Sequence, residues 1–161
     1  MRGVFLWYFC RMSQSADNIH IQNRRANFDY AFSEKFTAGI ILTGTEIKSV
    51  RNGKVSLVDS FCYVKNSEVF VKNLHITEYD KASFYNHAPL RERKLLLNKL
   101  EIQKIERKLK DAGTTIIALR MFISKSGYAK LEIGIGKGKK QFDKREDIKK
   151  RDVEREHARR F

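Results

Sequence analysis

LEIGIGKGKKQFDKR, residues 131–145, is the stretch on which the fold turns. Its first half alternates, with Leu131, Ile133 and Ile135 on one side and Glu132, Gly134 and Gly136 on the other. A period of two predicts a strand with one buried face. Beyond Gly136 the apolar partners stop, lysines take over, and the chain to Phe161 is mostly charged. A folded body is therefore expected to end near residue 137, with a basic segment leaving from its last strand.

Upstream, 114–123 predicts a partner strand carrying Ile117, Leu119, Met121 and Ile123 on one face, turned at Lys125, Ser126 and Gly127. The span 91–112 has neither Gly nor Pro and is helical by composition. Asn98 and Glu101 make a capping pattern that divides it. Leu95, Leu96 and Leu97 anchor a short first helix, and Ile102, Ile105, Leu109 and Ala112 line a longer second one that ends at Gly113. Residues 57–64 and 69–74 predict a hairpin about Asn66 and Ser67. Thr43 and Glu46 make a capping box, so a helix through Ile47 and Val50 should follow and stop at Gly53. Before it, 36–42 predicts a strand. So does 23–32, with Phe28, Tyr30 and Phe32 at alternate positions and the arginines at its entrance.

The order is two strands, helix, two strands, helices, two strands. That predicts a mainly β fold with α: a closed antiparallel six-stranded barrel, about three flanking helices and a basic C-terminal tail. The expected division is a disordered extension over 1–22, a barrel domain over 23–137 and a tail over 138–161. Arg2 precedes an apolar run over 4–10, at the lower limit of length for a signal sequence, and the preferred reading takes Met12 as the natural start.

The chain of 161 residues has 33 Lys and Arg against 19 Asp and Glu, a formal net charge of +14. An excess of this size costs self-repulsion in a small domain and points to a polyanion, nucleic acid before an acidic membrane surface. No apolar run approaches the ~20 residues that span a bilayer. Two cysteines and four scattered histidines make neither a disulfide framework nor a zinc spacing, so no metal and no cofactor are expected. No nucleophile, acid–base pair or metal cluster marks a catalytic site.

Gly134, Gly136, Lys137, Gly138, Lys139 and Lys140 combine glycines that permit close backbone approach with lysines that meet phosphate as point charges. They lack the Gly-Lys-Ser/Thr offset of a nucleotide-binding loop. In the tail, Glu146–Lys150, Asp147–Arg151 and Glu156–Arg160 are spaced to favour helix, but no apolar stripe offsets the ordering entropy. The expectation is a tail disordered alone and helical when bound. Tyr30, Phe28, Tyr79, Phe84 and Tyr85 lie among cations, as suits RNA bases and backbone. Arg24, Lys48, Arg51, Arg93 and Lys94 are further cationic candidates for RNA contact.

Four stretches in order, NRRANFDY (23–30), AGIILTGTEIKSVRNGK (38–54), NHAPLRERKLLLNKLEI (86–102) and GKGKKQFDKRE (137–146), resemble the SsrA-binding protein (small protein B) family. The resemblance covers most of the chain from Asn23 onward. It implies an oligonucleotide-binding-like barrel that grips the tRNA-like end of transfer-messenger RNA and enters stalled 70S ribosomes in the cytoplasm. It implies no enzyme activity, and the chain is expected to act as a monomer. Asn23, Arg25, Leu97 and Lys130 resemble RNA-contacting positions. Gly138, Asp143, Lys144 and Arg145 resemble tail positions needed at the decoding centre and messenger channel. Phe142 stands where His or Tyr is frequent and could still stack on a base. Asn27-Phe28 and Thr37 are the other departures, Thr37 standing where Glu is common. The alternatives are a structural rRNA-binding or assembly protein, and a nucleic-acid enzyme on the same barrel.

Overall fold

The structure, a computed structural model, describes residues 19–82, 86–140, 155 and 157. The expectations for residues 1–18 of the N-terminal extension, for Phe84 and Tyr85, and for Phe142, Asp143, Lys144, Arg145 and the tail helix lie outside the described residues; residues 20–22, expected to be disordered with that extension, are instead held as a strand paired with residues 120–122.

Strand β1 (His20–Gln22) leads into a one-turn helix α1 (Ala26–Asp29), then the long strand β2 (Tyr30–Ile40) and helix α2 (Gly44–Arg51). Strands β3 (Val55–Ser56), β4 (Phe61–Lys65), β5 (Glu68–Lys72), β6 (His75–Ile76) and β7 (Arg93–Leu96) follow. Helix α3 (Lys99–Leu109), β8 (Thr114–Ile123) and β9 (Ala129–Gly138) complete the order. The main sheet runs β1-β8-β4-β5-β7-β2-β9, and β9 also pairs with β8. Six antiparallel strands therefore close a ring, with β1 added on the outside of β8. β3 and β6 make a separate two-stranded sheet.

Both capping boxes form, Thr43 with Glu46 and Asn98 with Glu101. The β4–β5 turn places Asn66 (φ 52°) and Ser67 (φ 56°) in the left-handed region, the geometry that matches the twist of a two-residue hairpin. Three further expectations need correction. Residues 23–29 are not strand: the chain turns through α1, which takes Phe28, and only Tyr30 and Phe32 of the alternating aromatics lie in β2, which runs on through the second predicted strand. Residues 93–96 are not helical. They form β7, hydrogen-bonded between β5 and β2, because ladder pairing on both edges outweighs a helix-favouring composition. The odd-numbered residues of β8 do not share one face. A bulge between Ala118 and Arg120 sends Ile117 and Leu119 to one side and Met121 to the other.

A matching bulge interrupts β2 between Phe32 and Glu34. The two bulges flank β9 and create two cores. Inside the ring, Val69, Val71, Ile116, Leu131, Ile133 and Ile135 are buried with Met121 and Ile105. Outside it, Ala26, Ile117 and Leu119 pack with Tyr30, Phe32 and Phe61 beneath α1. Gly134 and Gly136 make room for this outer cluster. A Cβ on Gly134 would lie 2.6 Å from the Phe32 ring and 2.9 Å from Leu119, and one on Gly136 would strike the carbonyl oxygen of Ala31. These two glycines serve internal packing rather than the approach of a partner. Gly138 has nothing within 4 Å of its Cβ position.

Glu46 ties α2 to the segment before β7. Its carboxylate accepts the Thr43 N–H (2.7 Å), both Arg91 Nε and Nη2 (2.6 Å each) and Arg93 Nε (2.8 Å). Arg93 donates onward to the carbonyls of Leu74 (2.6 Å), Arg91 (2.9 Å) and Pro89 (3.1 Å). Burial opposes the Glu46 charge, but the Arg91 bonds, the Thr43 amide and Arg93 outweigh it and hold the carboxyl at about 2.

Gly136→Ala should lower the unfolding free energy by about 1–3 kcal/mol, as overpacking does, and Gly138→Ala should leave it nearly unchanged; urea midpoints decide. Ser67→Gly should raise stability by roughly 0.5–1 kcal/mol by relieving a left-handed non-glycine residue. Because the folded Glu46 pKa lies below its ordinary value of 4.5, its contribution is present above pH 4.5 and fades as pH falls toward 2. On the order of 3 kcal/mol should be lost over that window and be missing from the acid titration of Glu46→Gln.

Candidate nucleic-acid interface

The outer cluster determines where an open cleft forms beside exposed cations. Immediately after β1, Asn23 is buried. Its amide N–H donates to Leu119 O (2.7 Å), and its side-chain Nδ2 donates to Leu57 O (2.9 Å) and Ala118 O (3.2 Å). Its Oδ1 accepts the Ala26 N–H (3.2 Å), as a capping side chain does. Every polar atom of that side chain is thus spent on main chain, and the bonds swing the backbone into α1. Arg25, at the entrance to α1, stands with its side chain 72% exposed and its Nε 3.1 Å from Asp29.

Between α1, the chain entering β4 and the end of β9 lies an open cleft of about 640 Å³. Asn23, Arg25, Tyr30, Ser60, Gly138 and Lys139 are among its walls. The cleft offers an exposed guanidinium, a half-buried phenol ring and a bare stretch of backbone at Gly138, with the carboxylates of Asp29 and Asp59 also in its walls; the Lys139 ammonium is turned onto the Asn27 carbonyl. That set suits a sugar-phosphate backbone: a cation for phosphate, a ring for stacking, and space where a side chain would obstruct. Lys137 lines a neighbouring groove with Lys108 and Ser33, and Arg24 lines a third beside Val55 and Leu57. Lys140 is exposed at the end of β9.

Other predicted positions lie elsewhere. Lys130 sits on the outer wall of the ring, in a cross-strand row running His20–Phe122–Lys130–Gly39–Leu96. His20 stacks on Phe122 (centroids 6.2 Å apart), and Arg120 lies over the same ring at 5.2 Å while pairing with Glu132. Thr37 is the register partner of Glu132, so a carboxylate from the opposite strand stands in the next row, Gln22–Arg120–Glu132–Thr37. Leu97 is half-buried against the main core. Lys94 pairs with Glu68 beside the stacked rings of Tyr63 and Phe70. Lys48 and Arg51 are exposed on α2, with Lys48 Nζ 5.3 Å from the Tyr79 ring centre. Arg93 is fully buried with Glu46 and reaches no surface.

The sequence reading missed Arg120, Phe122 and His20, which the alternation of β8 together with knowledge of β1 would have exposed. It also missed the Tyr63–Phe70 pair, where the Tyr63 hydroxyl donates to Glu92 (2.6 Å). That bond, with Lys72 nearby, lowers the Glu92 pKa. Burial pushes the Cys62 thiol far above its ordinary range. Among the described residues no group of three or more His, Cys, Asp or Glu could hold a metal ion, and no helix is long and apolar enough to cross a membrane.

The sequence model of a family described as "SmpB protein" matches residues 20–161. Among similar proteins, the SsrA-binding protein of Bacteroides thetaiotaomicron is 55% identical over 144 residues, covering 89% of this chain and 96% of that one. That of Geobacillus kaustophilus is 48% identical over 150 residues, covering 93% and 96%. A chain from a solved structure described as "tmRNA-SmpB: a journey to the center of the bacterial ribosome" superposes with a TM-score of 0.66 at 41% identity, covering 77% of this chain and 87% of that one. The match extends over most of the chain in both sequence and fold, and the chain belongs to the SmpB family.

Proposed function

We propose that this chain is an RNA-binding adaptor that grips the tRNA-like domain of transfer-messenger RNA and delivers it to stalled ribosomes for trans-translation, in which the nascent peptide is tagged for degradation. The observation that carries the reading is the set of exposed cations, Arg24, Arg25, Lys137 and Lys140, at and beside the open cleft at the α1–β9 junction, in a chain whose relatives are named for binding SsrA RNA. Arg25 and Tyr30 are the contacts we assign there, with Lys137 and Arg24 in neighbouring grooves, Lys140 just beyond β9, and Lys130 as a separate contact on the outer wall of the ring. An exposed pair such as Arg25–Asp29 is worth little in water, so a phosphate can take the place of the carboxylate at small cost. Asn23 and Arg93 support the reading from inside, by fixing α1 and the approach to β7. Residues 138–161, with Gly138, Asp143, Lys144 and Arg145, are assigned to the decoding centre and messenger channel. The protein acts by binding, without catalysis, as a cytoplasmic monomer.

Affinity for transfer-messenger RNA should fall with salt, by a slope of about 0.7–0.9 per phosphate contact in a log–log plot. A flat response would sink the reading. Ending the chain after Gln141 should leave RNA binding nearly intact while abolishing tagging; loss of both together contradicts the division of labour. Sedimentation in high salt separates the adaptor from a structural rRNA-binding protein, which would remain on every ribosome.

A further inference from the structure

Three lysines, Lys137, Lys139 and Lys140, stand at and just beyond the end of β9, and they are not equivalent. Lys137 and Lys140 are exposed, whereas Lys139 is half-buried and turned onto α1. Pairing of β2 with β9 ends at Tyr30 and Gly138. One residue later, the Lys139 N–H donates to Asp29 O (2.8 Å), and its Nζ donates to Asn27 O (3.1 Å). Both carbonyls sit at the C-terminal end of α1, where helix carbonyls lack intrahelical donors and a lysine is well placed to serve them. Asp29, whose carboxylate faces Arg25, thereby links the cleft rim to the point where β9 ends.

We infer that Lys139 is a positioning residue: it staples the end of β9 to the last turn of α1 and so fixes where the following segment begins relative to RNA held in the cleft. This rests on the adaptor reading above. A contact to phosphate contributes affinity wherever it stands. A staple contributes little to affinity, but it governs how two bound parts of one assembly are registered. The segment after Lys140 and the RNA must engage the ribosome together, and a loose junction leaves that geometry to chance. Arg can reproduce the bond to the Asn27 carbonyl; Met keeps the stem and loses the donor.

The test uses the full chain with transfer-messenger RNA and stalled ribosomes, comparing Lys139→Met and Lys139→Arg with the unmodified protein. For Lys139→Met the salt slope of RNA binding should stay unchanged, since no phosphate contact is lost. Tagging should drop about tenfold, in the range that small misplacement of reacting parts produces. Lys139→Arg should restore it. A slope reduced by about 0.7–0.9 would show a phosphate contact instead. That result, unchanged tagging, or failure of Lys139→Arg to restore tagging would each overturn the staple. Failure of the unmodified chain to bind the RNA would strike the adaptor reading itself, and it is seen before any variant is compared.

Discussion

The missing side chains at Gly134 and Gly136 are the constraint from which the rest of the architecture follows. β9 pairs along both edges, with β2 on one side and β8 on the other, and its inward residues Leu131, Ile133 and Ile135 fill the ring. Its outward positions would normally carry side chains into solvent. Here two are bare, and Phe32 and Leu119 move into the space. Each neighbour of β9 carries a bulge that swings its apolar residues outward at this level and inward further along. The result is a second apolar floor on the outside of the ring, and α1 rests on it through Ala26. Without the glycines there is no floor, and without the floor Arg25 and the cleft have no fixed place.

Much of this was legible in the chain. The alternation of β9, the two capping boxes, the Asn66–Ser67 turn and the helix over 99–109 are local signals, and local signals survive folding. What failed depended on distant partners. Residues 23–29 read as strand because the aromatics alternate, yet Asn23 bonds to carbonyls 34 and 95 positions away, and those bonds bend the backbone. Residues 93–96 read as helix because arginine, lysine and leucine favour helix, yet two neighbouring strands claim their amides. Parity along β8 failed at one inserted residue, since a bulge reverses every face beyond it. The site was legible by chemistry and family resemblance but not by address. Net charge named the class of partner, while the placement of Lys130, Lys94 and Lys48 on separate faces needed the fold.

Charge is also distributed less simply than the net excess suggests. Among the described residues Lys54, Lys72, Lys94, Lys108 and Arg120 each stand within ion-pair distance of a carboxylate. All of these pairs are at least partly exposed, and such pairs hold their partners weakly. They moderate self-repulsion in the free protein and yield to phosphate when it arrives. The basic surface is thereby screened from unselective association without being spent.

The arginines make the same argument at opposite extremes. Arg93 has no exposed area, and its guanidinium is divided between Glu46 and three carbonyls. Removing Glu46 would strand the Arg93 charge in the interior, which is far costlier than losing a surface pair. Its work is to hold the chain between β6 and β7 against α2. Arg25 carries the same group into solvent, restrained by one carboxylate on its own helix turn. Desolvation decides between these uses: a buried guanidinium is committed to the partners that justify its burial, and only an exposed one remains available to exchange a carboxylate for a phosphate. Counting arginines in a basic sequence therefore measures the capacity for RNA contact only after burial has been subtracted.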